Sequence, residues 1–324
     1  MRATLYYILN LLLVPIYLIG LVAYMLALLK TRGISSGTAY EPYGARLAYH
    51  LLGFREDPAA YNLAYGLPAA NFFYLYLLFY PMILTSKISG YVPAILAFDD
   101  ADPDKSVYLM AIRTKFLDAA VKDRLGGVEQ LLVLGAGWDT RAYSPELPPH
   151  VRAFEVDTAA TQAIKRTALS KSGIDSSHVT FVNCDFNTES WLEKLVKCGF
   201  NPECKTLVLW EGVTMYLAEA AITKTLKAVS SLGQGSLIAF DIFASEWMLD
   251  SKQGQRAASQ IKYFYSEEFV FSIPLKSNSH QRLENFLSSN GLQLLSETVM
   301  RTDGDIEQPV YAFVLATNAN TAAE

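Results

Sequence analysis

The sequence predicts a doubly wound α/β fold with a mostly parallel sheet, preceded by an N-terminal transmembrane helix and an apolar helical cover. From Asp104 onward, short apolar runs that close on an acidic residue alternate with stretches of helical spacing, which indicates a parallel sheet covered on both faces. A glycine turn at Gly135–Gly137 follows the first of these runs, as expected where such a sheet binds a ligand. Before Asp104 the chain is more apolar, and no charged residue lies between Arg2 and Lys30.

The composition limits the classes of function. Of the 324 residues, 51% are hydrophobic and 18% are charged, and the formal net charge is −5. A protein that binds the backbone of a nucleic acid needs a basic face, so we expect no nucleic-acid partner. The three cysteines, Cys184, Cys198 and Cys204, have neither disulfide nor CxxC spacing and form no ligand motif with the histidines, so no metal is predicted.

Residues 1–33 are predicted to anchor the protein in a membrane. The stretch Leu5–Leu29 is apolar and longer than the ~20 residues that a helix needs to cross the hydrocarbon core. It is also longer than the apolar core of a cleaved signal peptide, which is about 7–15 residues. A buried helix of a soluble protein is the alternative. We therefore expect a membrane protein that crosses the bilayer once.

Residues 34–103 are predicted to form an apolar helical cover or a membrane-associated segment. Lys87 is the only charged residue in the range 58–98. The most apolar part, Phe72–Leu84, is short for a membrane span and rich in tyrosine. It fits a re-entrant or interfacial helix, a second span paired with Tyr91–Phe98, a lid over the binding site, or a helix of the core.

Residues 104–317 are predicted to form the α/β domain. Ser106–Leu125 has apolar residues at helical spacing and ends before two glycines, and Glu129–Leu134 is a buried strand that enters the glycine turn. The remaining residues, 318–324, are expected to form a frayed tail. Further strands are predicted at Val151–Asp157, Val179–Asp185, Thr206–Glu211, Gly235–Asp241, Gln293–Val299 and Val310–Ala316, and helices at Thr161–Leu169, Ser190–Cys198, Ala218–Leu232 and His280–Asn290.

The strand ends carry the candidate binding residues, because ligands of an open parallel sheet bind beyond the carboxyl ends of its strands. Gly135 and Gly137 allow a tight turn and let backbone N–H groups approach a ligand closely. Asp157 ends the second strand, about 20 residues after the turn, where a carboxylate can accept hydrogen bonds from both hydroxyls of a ribose.

The next two strand ends add three candidates. Asp185 can accept a hydrogen bond from an adenine amino group, while the ring of Phe186 packs against the base. Glu211 follows the fourth strand and places another acid at the same edge. The residue that closes the fifth strand, Asp241, is interpreted as structural.

A membrane-anchored NAD(P)-dependent oxidoreductase is the alternative, since a glycine turn with a distant acid also fits a dinucleotide site. Thr140, however, stands where the third glycine of GxGxxG would be, and acids at the strand ends would repel a pyrophosphate. They suit a cofactor that lacks phosphate and carries a cationic amino group and a sulfonium. A membrane scaffold without enzymatic activity is a third alternative, but the intact binding residues argue against it.

The motifs LGAGWDTRAY, FEVD, CDF and LWEGVTMYL, with a W-x-x-x-L helix and CGF before the last, carry a family resemblance. In order and spacing they resemble the leucine carboxyl methyltransferase family and its bacterial relatives, which are class I S-adenosylmethionine-dependent methyltransferases of Rossmann-like fold. The resemblance covers Tyr108 to Phe243 well and Ala45–Phe54 weakly. It implies S-adenosyl-L-methionine as the cofactor, and it places the domain 104–317 in the cytosol, where that cofactor is found.

The resemblance also implies a role for each candidate residue. Arg46 is a possible second contact to the carboxylate of the methionine moiety, and Asp139 and Arg141 are either ligands or turn and cap residues. No catalytic residue is identified, although Tyr216 lies where a substrate could be contacted. By the resemblance, Arg113 binds the methionine carboxylate, Gly135 and Gly137 hold the methionine end, Asp157 binds the ribose, Asp185 and Phe186 bind the adenine, and Glu211 binds the amino group.

The acceptor is predicted to be a lipophilic small molecule that is methylated on an oxygen, either of a carboxylate or of a hydroxyl. Between Pro58 and Tyr108 the chain is longer and more apolar than the soluble, protein-methylating members of the family, which favours an acceptor reached from the membrane. Methylation of a protein C-terminal carboxylate is the alternative within the same class. A carboxylate is ionised at pH 7 and needs no base, whereas a hydroxyl needs one.

Overall fold

The computed structural model describes residues 1–31, 36–69, 72–302 and 305–318. The predicted doubly wound, mostly parallel α/β sheet is confirmed, and it has seven strands within these residues. The strands are β1 (Gln130–Leu134), β2 (Arg152–Asp157), β3 (Val179–Asn183), β4 (Thr206–Trp210), β5 (Leu237–Phe243), β6 (Gln293–Thr302) and β7 (Asp305–Thr317).

The strand order is β3-β2-β1-β4-β5-β7-β6, and the first five strands are parallel. β7 is antiparallel to β5 and to β6, so a hairpin closes this edge of the sheet. Every residue of β1, β4 and β5 is buried, because helices cover both faces of a parallel sheet. β1 pairs with β2 on one side and with β4 on the other, because the strand order reverses its direction after β3. A crevice opens where the strand order reverses in this way.

Eleven α-helices accompany the sheet in the described part of the chain. Each predicted helix of the α/β domain is present, and the predicted strand bounds lie within a few residues of those observed. The eleven observed helices are α1 (Arg2–Leu12), α2 (Val14–Thr31), α3 (Tyr40–Leu52), α4 (Pro58–Leu63), α5 (Phe72–Ser89), α6 (Leu109–Arg124), α7 (Ala159–Lys171), α8 (Trp191–Lys197), α9 (Glu219–Ser230), α10 (Lys252–Tyr265) and α11 (Ser279–Ser288).

The expected single transmembrane helix over Leu5–Leu29 is corrected by the structure, which has two helices, α1 and α2, bent by 62°. Pro15 lies in the first turn of α2 and has no N–H to donate to the carbonyl of Leu11, so a continuous helix is interrupted here. Among the described residues, no one helix is both long and apolar enough to cross a membrane. The bent pair reaches that length and composition only when its two parts are taken together.

α5, from the second apolar segment, packs against α1 and α2. Gly20 of α2 permits this close approach, since a Cβ placed there would lie 2.7 Å from the Cβ of Leu77. Asn10 of α1 donates a hydrogen bond of 2.9 Å to Thr85 of α5. On its other side α5 contributes Ile83, which is buried against α3. The three apolar helices therefore form a layer beside the α/β domain.

The carboxyl end of the α/β domain is fixed to the sheet. Thr317 pairs with Leu237 of β5, and the side-chain amide of Asn318 donates to the carbonyl of Leu232 at 2.6 Å. The predicted tail, 318–324, lies outside the described residues except for Asn318.

Candidate functional site

A cavity of about 560 Å³ opens at the carboxyl ends of the parallel strands. It lies at the reversal of strand order between β1 and β4, where an open α/β sheet binds its ligand. The structure brings all seven residues predicted from the sequence to this one cavity, although their roles toward a cofactor stay predictions. They are Arg113, Gly135, Gly137, Asp157, Asp185, Phe186 and Glu211.

The turn after β1 requires its glycines. Gly135 has φ 64°, a conformation that other residues rarely adopt, and a Cβ there would lie 2.3 Å from Cγ2 of Val213. Gly137 has φ 36°, and a Cβ there would lie 3.1 Å from that of Ala39. With hydrogen at both positions, the backbone of the turn is open to a ligand in the cavity.

Asp157 is held in place by the same turn. Its Oδ2 accepts the N–H of Gly137 at 2.7 Å, and its Oδ1 accepts the N–H of Thr158 at 2.6 Å. Burial raises the pKa of Asp157, and these N–H groups oppose that shift. Each carboxylate oxygen keeps a second lone pair, so the group can accept further hydrogen bonds from hydroxyls in the cavity.

The neighbouring acid on β2 has a different surrounding. Glu155 lies 2.8 Å from Nζ of Lys165, and the two side chains are 0% and 1% exposed. Lys165 also donates to the carbonyl of Ala136, in the glycine turn, at 3.3 Å. Glu155 does not line the cavity and braces the turn from behind, in agreement with the choice of Asp157 over Glu155 as the ligand.

Glu211 belongs to a buried group of ion pairs. Its Oε2 accepts from Nη1 of Arg46 at 3.0 Å and from Nη1 of Arg141 at 2.6 Å. Arg141 also contacts Asp139 and Asp118. Burial would raise the pKa of Glu211, but the two arginines outweigh it and the pKa is lowered. Its second oxygen, Oε1, is buried without a hydrogen-bond partner among the described residues.

The ion pairs continue away from the cavity. Arg55 contacts Asp118 at 2.5 Å and also contacts Asp57, which accepts the hydroxyl of Thr140 at 2.7 Å. The sequence left two interpretations open for Asp139 and Arg141. Arg141 pairs with Asp139 and with Glu211, which gives it a structural role, and Asp139 also lines the cavity. We call the following residues the ionic network: Arg46, Arg55, Asp57, Asp118, Asp139, Arg141 and Glu211.

Arg113 has partners distant in the sequence. Its Nε lies 3.0 Å from Oδ2 of Asp241, and its Nη2 donates to the hydroxyl of Tyr311 at 2.6 Å. Burial would lower the pKa of Arg113, but Tyr311 and Asp241 raise it, so the guanidinium stays charged. The alternative partners on its own helix, Asp118 and Asp123, are not used. Asp241 is structural, as its interpretation from the sequence had it, and it also accepts the N–H of Gly212 at 2.8 Å.

The third strand end is more open than the others. Asp185 is exposed and accepts the N–H of Asn187 at 2.9 Å, whereas Phe186 is buried, 8% exposed, with part of its surface on the cavity. An exposed carboxylate beside an aromatic wall fits a flat heterocycle with an amino group at its edge.

The charge around the cavity is strongly negative. Two arginines line it against seven carboxylates, and both arginines contact carboxylates. Such a field repels a pyrophosphate and attracts a cation. The lining carboxylates are Glu41, Asp139, Asp157, Asp185, Glu211, Glu267 and Glu268, and the arginines are Arg46 and Arg113.

The cavity also has an apolar wall and three acids that lie outside the strand ends, Glu41, Glu267 and Glu268. Tyr216 and Tyr265 line it as well. Apart from Tyr216, the sequence did not single out these residues, because no local motif distinguishes them. The apolar wall is formed by Leu109, Met110, Met215, Phe243, Ile261 and Phe269.

The cavity is covered by one part of the expected segment, 34–103, and by a later segment of the chain. Residues 36–46 and 261–270 contribute its outer wall, whereas no described residue of 58–98 lines it. The interpretation of Phe72–Leu84 as a lid over the site is therefore wrong for the described part, because α5 packs on α1, α2 and α3. No group of three or more His, Cys, Asp or Glu residues within the described ranges could hold a metal ion.

Comparison with known proteins confirms the predicted family resemblance. Residues 96–230 match the sequence model of the leucine carboxyl methyltransferase family. A relative from Streptomyces avermitilis, provisionally named as an S-adenosyl-L-methionine-dependent methyltransferase, is 34% identical over 125 residues, which are 38% of this chain and 44% of the relative. A protein of Bacillus subtilis with the same provisional name, YktD, is 30% identical over 170 residues, which are 51% of this chain and 54% of that protein.

The chain thus spans about half the length of the curated relatives it matches. Among solved structures, an O-methyltransferase family protein from Burkholderia thailandensis is similar at a TM-score of 0.44 and 9% identity, over 64% of this chain and 57% of that one. A likeness of that size carries no argument about function.

Proposed function

We propose that this chain, whose central region matches the leucine carboxyl methyltransferase family, is an S-adenosyl-L-methionine-dependent methyltransferase that methylates an oxygen of a lipophilic small molecule. The observation that carries the proposal is the negative lining of the cavity behind a glycine turn, at the carboxyl edge of the sheet. S-adenosylmethionine brings a sulfonium and an ammonium to the site and has no phosphate. An NAD(P)-dependent oxidoreductase would have to hold a pyrophosphate against the same acids.

The residues present fit this cofactor group by group. Oε1 of Glu211 is a buried acceptor without a partner among the described residues, and a cationic amino group is the donor it lacks. Asp157 offers its remaining lone pairs to the ribose hydroxyls, and Asp185 with Phe186 would hold the adenine. Arg113, which stays charged, is the cation for the carboxylate.

The bound cofactor supplies an activated methyl group, and the protein contributes binding and orientation. Asp157, fixed by two backbone N–H groups, sets the position of the ribose, and Gly135 allows the methionine end to lie against the backbone. Holding acceptor and methyl group in line converts a reaction between two molecules into one within a complex, which accounts for much of the acceleration in such displacements.

Calorimetry on the full chain in detergent tests the cofactor. S-adenosylmethionine is expected to bind, and Asp157→Ala to weaken it by about 10²-fold, since two charge-assisted hydrogen bonds at ~1.5 kcal/mol each are lost. Asp175→Ala, at an exposed acid outside the cavity, is the matched control and should leave the affinity unchanged. Binding of NADH or NADPH with none of S-adenosylmethionine would refute the methyltransferase and favour the oxidoreductase.

The N-terminal helices are proposed to attach the protein to a membrane, with the α/β domain on the cytosolic side. In support, α1 and α2 carry no charge from position 3 to 29 and leave large apolar side chains exposed, among them Leu11, Leu12, Ile19 and Val22. Contiguous apolar surface of this kind marks a membrane or protein contact. Flotation of the full chain with vesicles of neutral phospholipid tests it, and a protein that stays in the aqueous fraction would contradict the proposal.

A further inference from the structure

We propose that the acceptor is an apolar phenol and that the Glu41 carboxylate takes the proton from its hydroxyl. This inference rests on the proposed methyltransferase function and deepens it, because it decides between a carboxylate and a hydroxyl as the group that is methylated. It also names a base, for which the sequence alone offered no candidate.

Glu41 is placed to meet an acceptor. It lies in the first turn of α3, and more than a third of its surface is accessible, although the residues of the helix that follow it are mostly buried. Its accessible surface borders the cavity. In contrast to Asp139 and Glu211, which share the ionic network, Glu41 forms no ion pair within 4 Å among the described residues.

The charges near Glu41 disfavour a carboxylate acceptor. Glu267 faces the same space and raises the pKa of Glu41 further, so an incoming carboxylate would meet two like charges. Arg113 is the cation that faces Glu41, but it contacts Asp241 at 3.0 Å and is the proposed ligand of the cofactor. A neutral acceptor encounters no such repulsion.

Glu267 is not available as the base, because it fastens the outer wall of the cavity. Its Oε1 accepts the N–H of Gly37 at 2.9 Å, and its Oε2 accepts the hydroxyl of Thr38 at 2.5 Å. These bonds hold the segment before α3 across the cavity. The third acid, Glu268, lies 2.6 Å from Nζ of Lys262, so Glu41 is the acid left to receive a proton.

The basicity of Glu41 suits the task. Glu41 is accessible only at the cavity, whose walls partly desolvate it and raise its pKa; Arg113 opposes the shift and Glu267 adds to it, with a net increase. A carboxylate of raised pKa is a better proton acceptor near neutral pH than an ordinary one. The hydroxyl of Tyr265 donates to Glu41 and accepts from Tyr24 of α2, which orients the carboxylate. Tyr216 also faces Glu41.

The apolar wall of the cavity favours an aromatic acceptor. The rings of Phe243 and Phe269 lie 5.0 Å apart, and those of Tyr216 and Phe269 lie 5.5 Å apart, at tilted angles. Aromatic rings at such distances and angles favour packing with a further ring. An apolar phenol satisfies the walls with its ring and Glu41 with its hydroxyl.

The step balances as a displacement. The phenol oxygen forms a bond to the methyl carbon, and the bond between that carbon and the cofactor sulfur breaks with its electron pair left on sulfur. The hydroxyl proton moves to an oxygen of Glu41 and then to solvent. The products are the methyl ether and S-adenosylhomocysteine, and no oxidant or metal is needed.

The test compares three probes of matched shape: 4-propylphenol, 4-propylbenzoate and 4-propylbenzylamine. Their binding to the full chain saturated with S-adenosylhomocysteine is measured by calorimetry, so that one readout is independent of turnover. The phenol should bind at least about tenfold more tightly than the benzoate, the size of a like-charge penalty of ~1.4 kcal/mol. Tightest binding of either the benzoate or the benzylamine overturns the proposal.

Glu41→Gln separates binding from proton transfer. The variant should bind 4-propylphenol within about twofold of wild type, bind 4-propylbenzoate about fivefold better because one repelling charge is gone, and transfer methyl to the phenol about 10²-fold more slowly. The rising limb of the wild-type rate with pH, set by Glu41, should disappear. Glu193→Gln, at an exposed acid on α8, is the matched control and should change none of these values.

The outcomes distinguish the two proposals. If S-adenosylhomocysteine fails to bind wild type, the methyltransferase function itself is refuted. If it binds but the variant transfers methyl as fast as wild type, or the affinity for the benzoate does not rise, only the assignment of the phenol and of Glu41 is refuted.

Discussion

Replacement of Lys165 by methionine tests the buried ion pair behind the glycine turn. Nζ of Lys165 lies 2.8 Å from Oε2 of Glu155, and both side chains are at most 1% exposed. Removing one partner of a buried pair costs about 3–5 kcal/mol, because the other charge is left without compensation in a dry interior. We therefore expect Lys165→Met to lower the free energy of unfolding by about 3–5 kcal/mol at pH 8.

The loss should depend on pH, because Glu155 can take up a proton instead. Burial raises the pKa of Glu155 and Lys165 opposes the shift, so the folded-state pKa rises further when Lys165 is removed. An acid whose folded-state pKa exceeds its unfolded value, about 4.3, keeps its full contribution to stability below that value and loses it as pH rises. Wild type loses the same contribution up to its own folded-state pKa, so the deficit should grow by up to about 1.4 kcal/mol per pH unit between the folded-state pKa of Glu155 in wild type and that in the variant.

Urea denaturation followed by tryptophan fluorescence, at pH 5 and pH 8, measures both effects. Arg166→Met, at the exposed neighbour on α7, is the matched control and should change stability by at most about 0.5 kcal/mol. The double variant Lys165→Met with Glu155→Leu should recover most of the loss, since no buried charge remains. A loss below about 1 kcal/mol at pH 8, or a loss of equal size at pH 5, would refute the reasoning.

Two further changes test the walls of the cavity. Gly135→Ala adds a Cβ 2.3 Å from Cγ2 of Val213, at a residue with φ 64°. It should lower the free energy of unfolding by about 1–3 kcal/mol and weaken the binding of S-adenosylmethionine. The additional change Val213→Ala should restore part of both. Calorimetry that shows an unchanged affinity would contradict this. Thr38→Val removes the hydroxyl that donates to Glu267 at 2.5 Å, and a hydrogen bond to a charged group contributes about 1.5–3 kcal/mol. The variant should have a lower midpoint of thermal unfolding, and its affinity for 4-propylphenol should fall more than its affinity for S-adenosylhomocysteine. An equal fall in both affinities would argue against a wall held by Glu267.

The sheet could be predicted from the sequence because its signals are local. Four of the five parallel strands end at a glycine or an acid, or up to two residues before one, whereas β5 continues two residues past its predicted end at Asp241. Since parallel strands end at one edge, Asp157, Asp185 and Glu211 had to meet there once the alternation was established. The same logic places the glycine turn beside them.

The partners of these residues could not be predicted, because they are remote in the chain. Arg46 and Glu211 are 165 residues apart, and Arg113 and Tyr311 are 198 apart. Glu41 has no motif around it, and it reaches the cavity only because α3 packs beside the sheet. α10 was also missed; it is largely exposed, and Gly254 is the one residue of it that is buried.

The prediction for the N-terminal segment was wrong for another reason. Length and hydropathy predicted one helix, whereas Pro15 removes one backbone hydrogen bond and the chain bends there by 62°. The count of apolar residues is insensitive to such a break.

The ionic network has a charge that its members do not balance. It contains three arginines, Arg46, Arg55 and Arg141, and four carboxylates, so one negative charge is left over when all are ionised. The excess negative charge can be neutralised at Oε1 of Glu211, the oxygen with no hydrogen-bond partner among the described residues. If the ammonium of the proposed cofactor contacts this oxygen, the ionic network and the ammonium together have a net charge of zero. The cofactor would then act as the missing counterion of the fold, and its binding would stabilise α3, α6 and the turn after β1 as one unit.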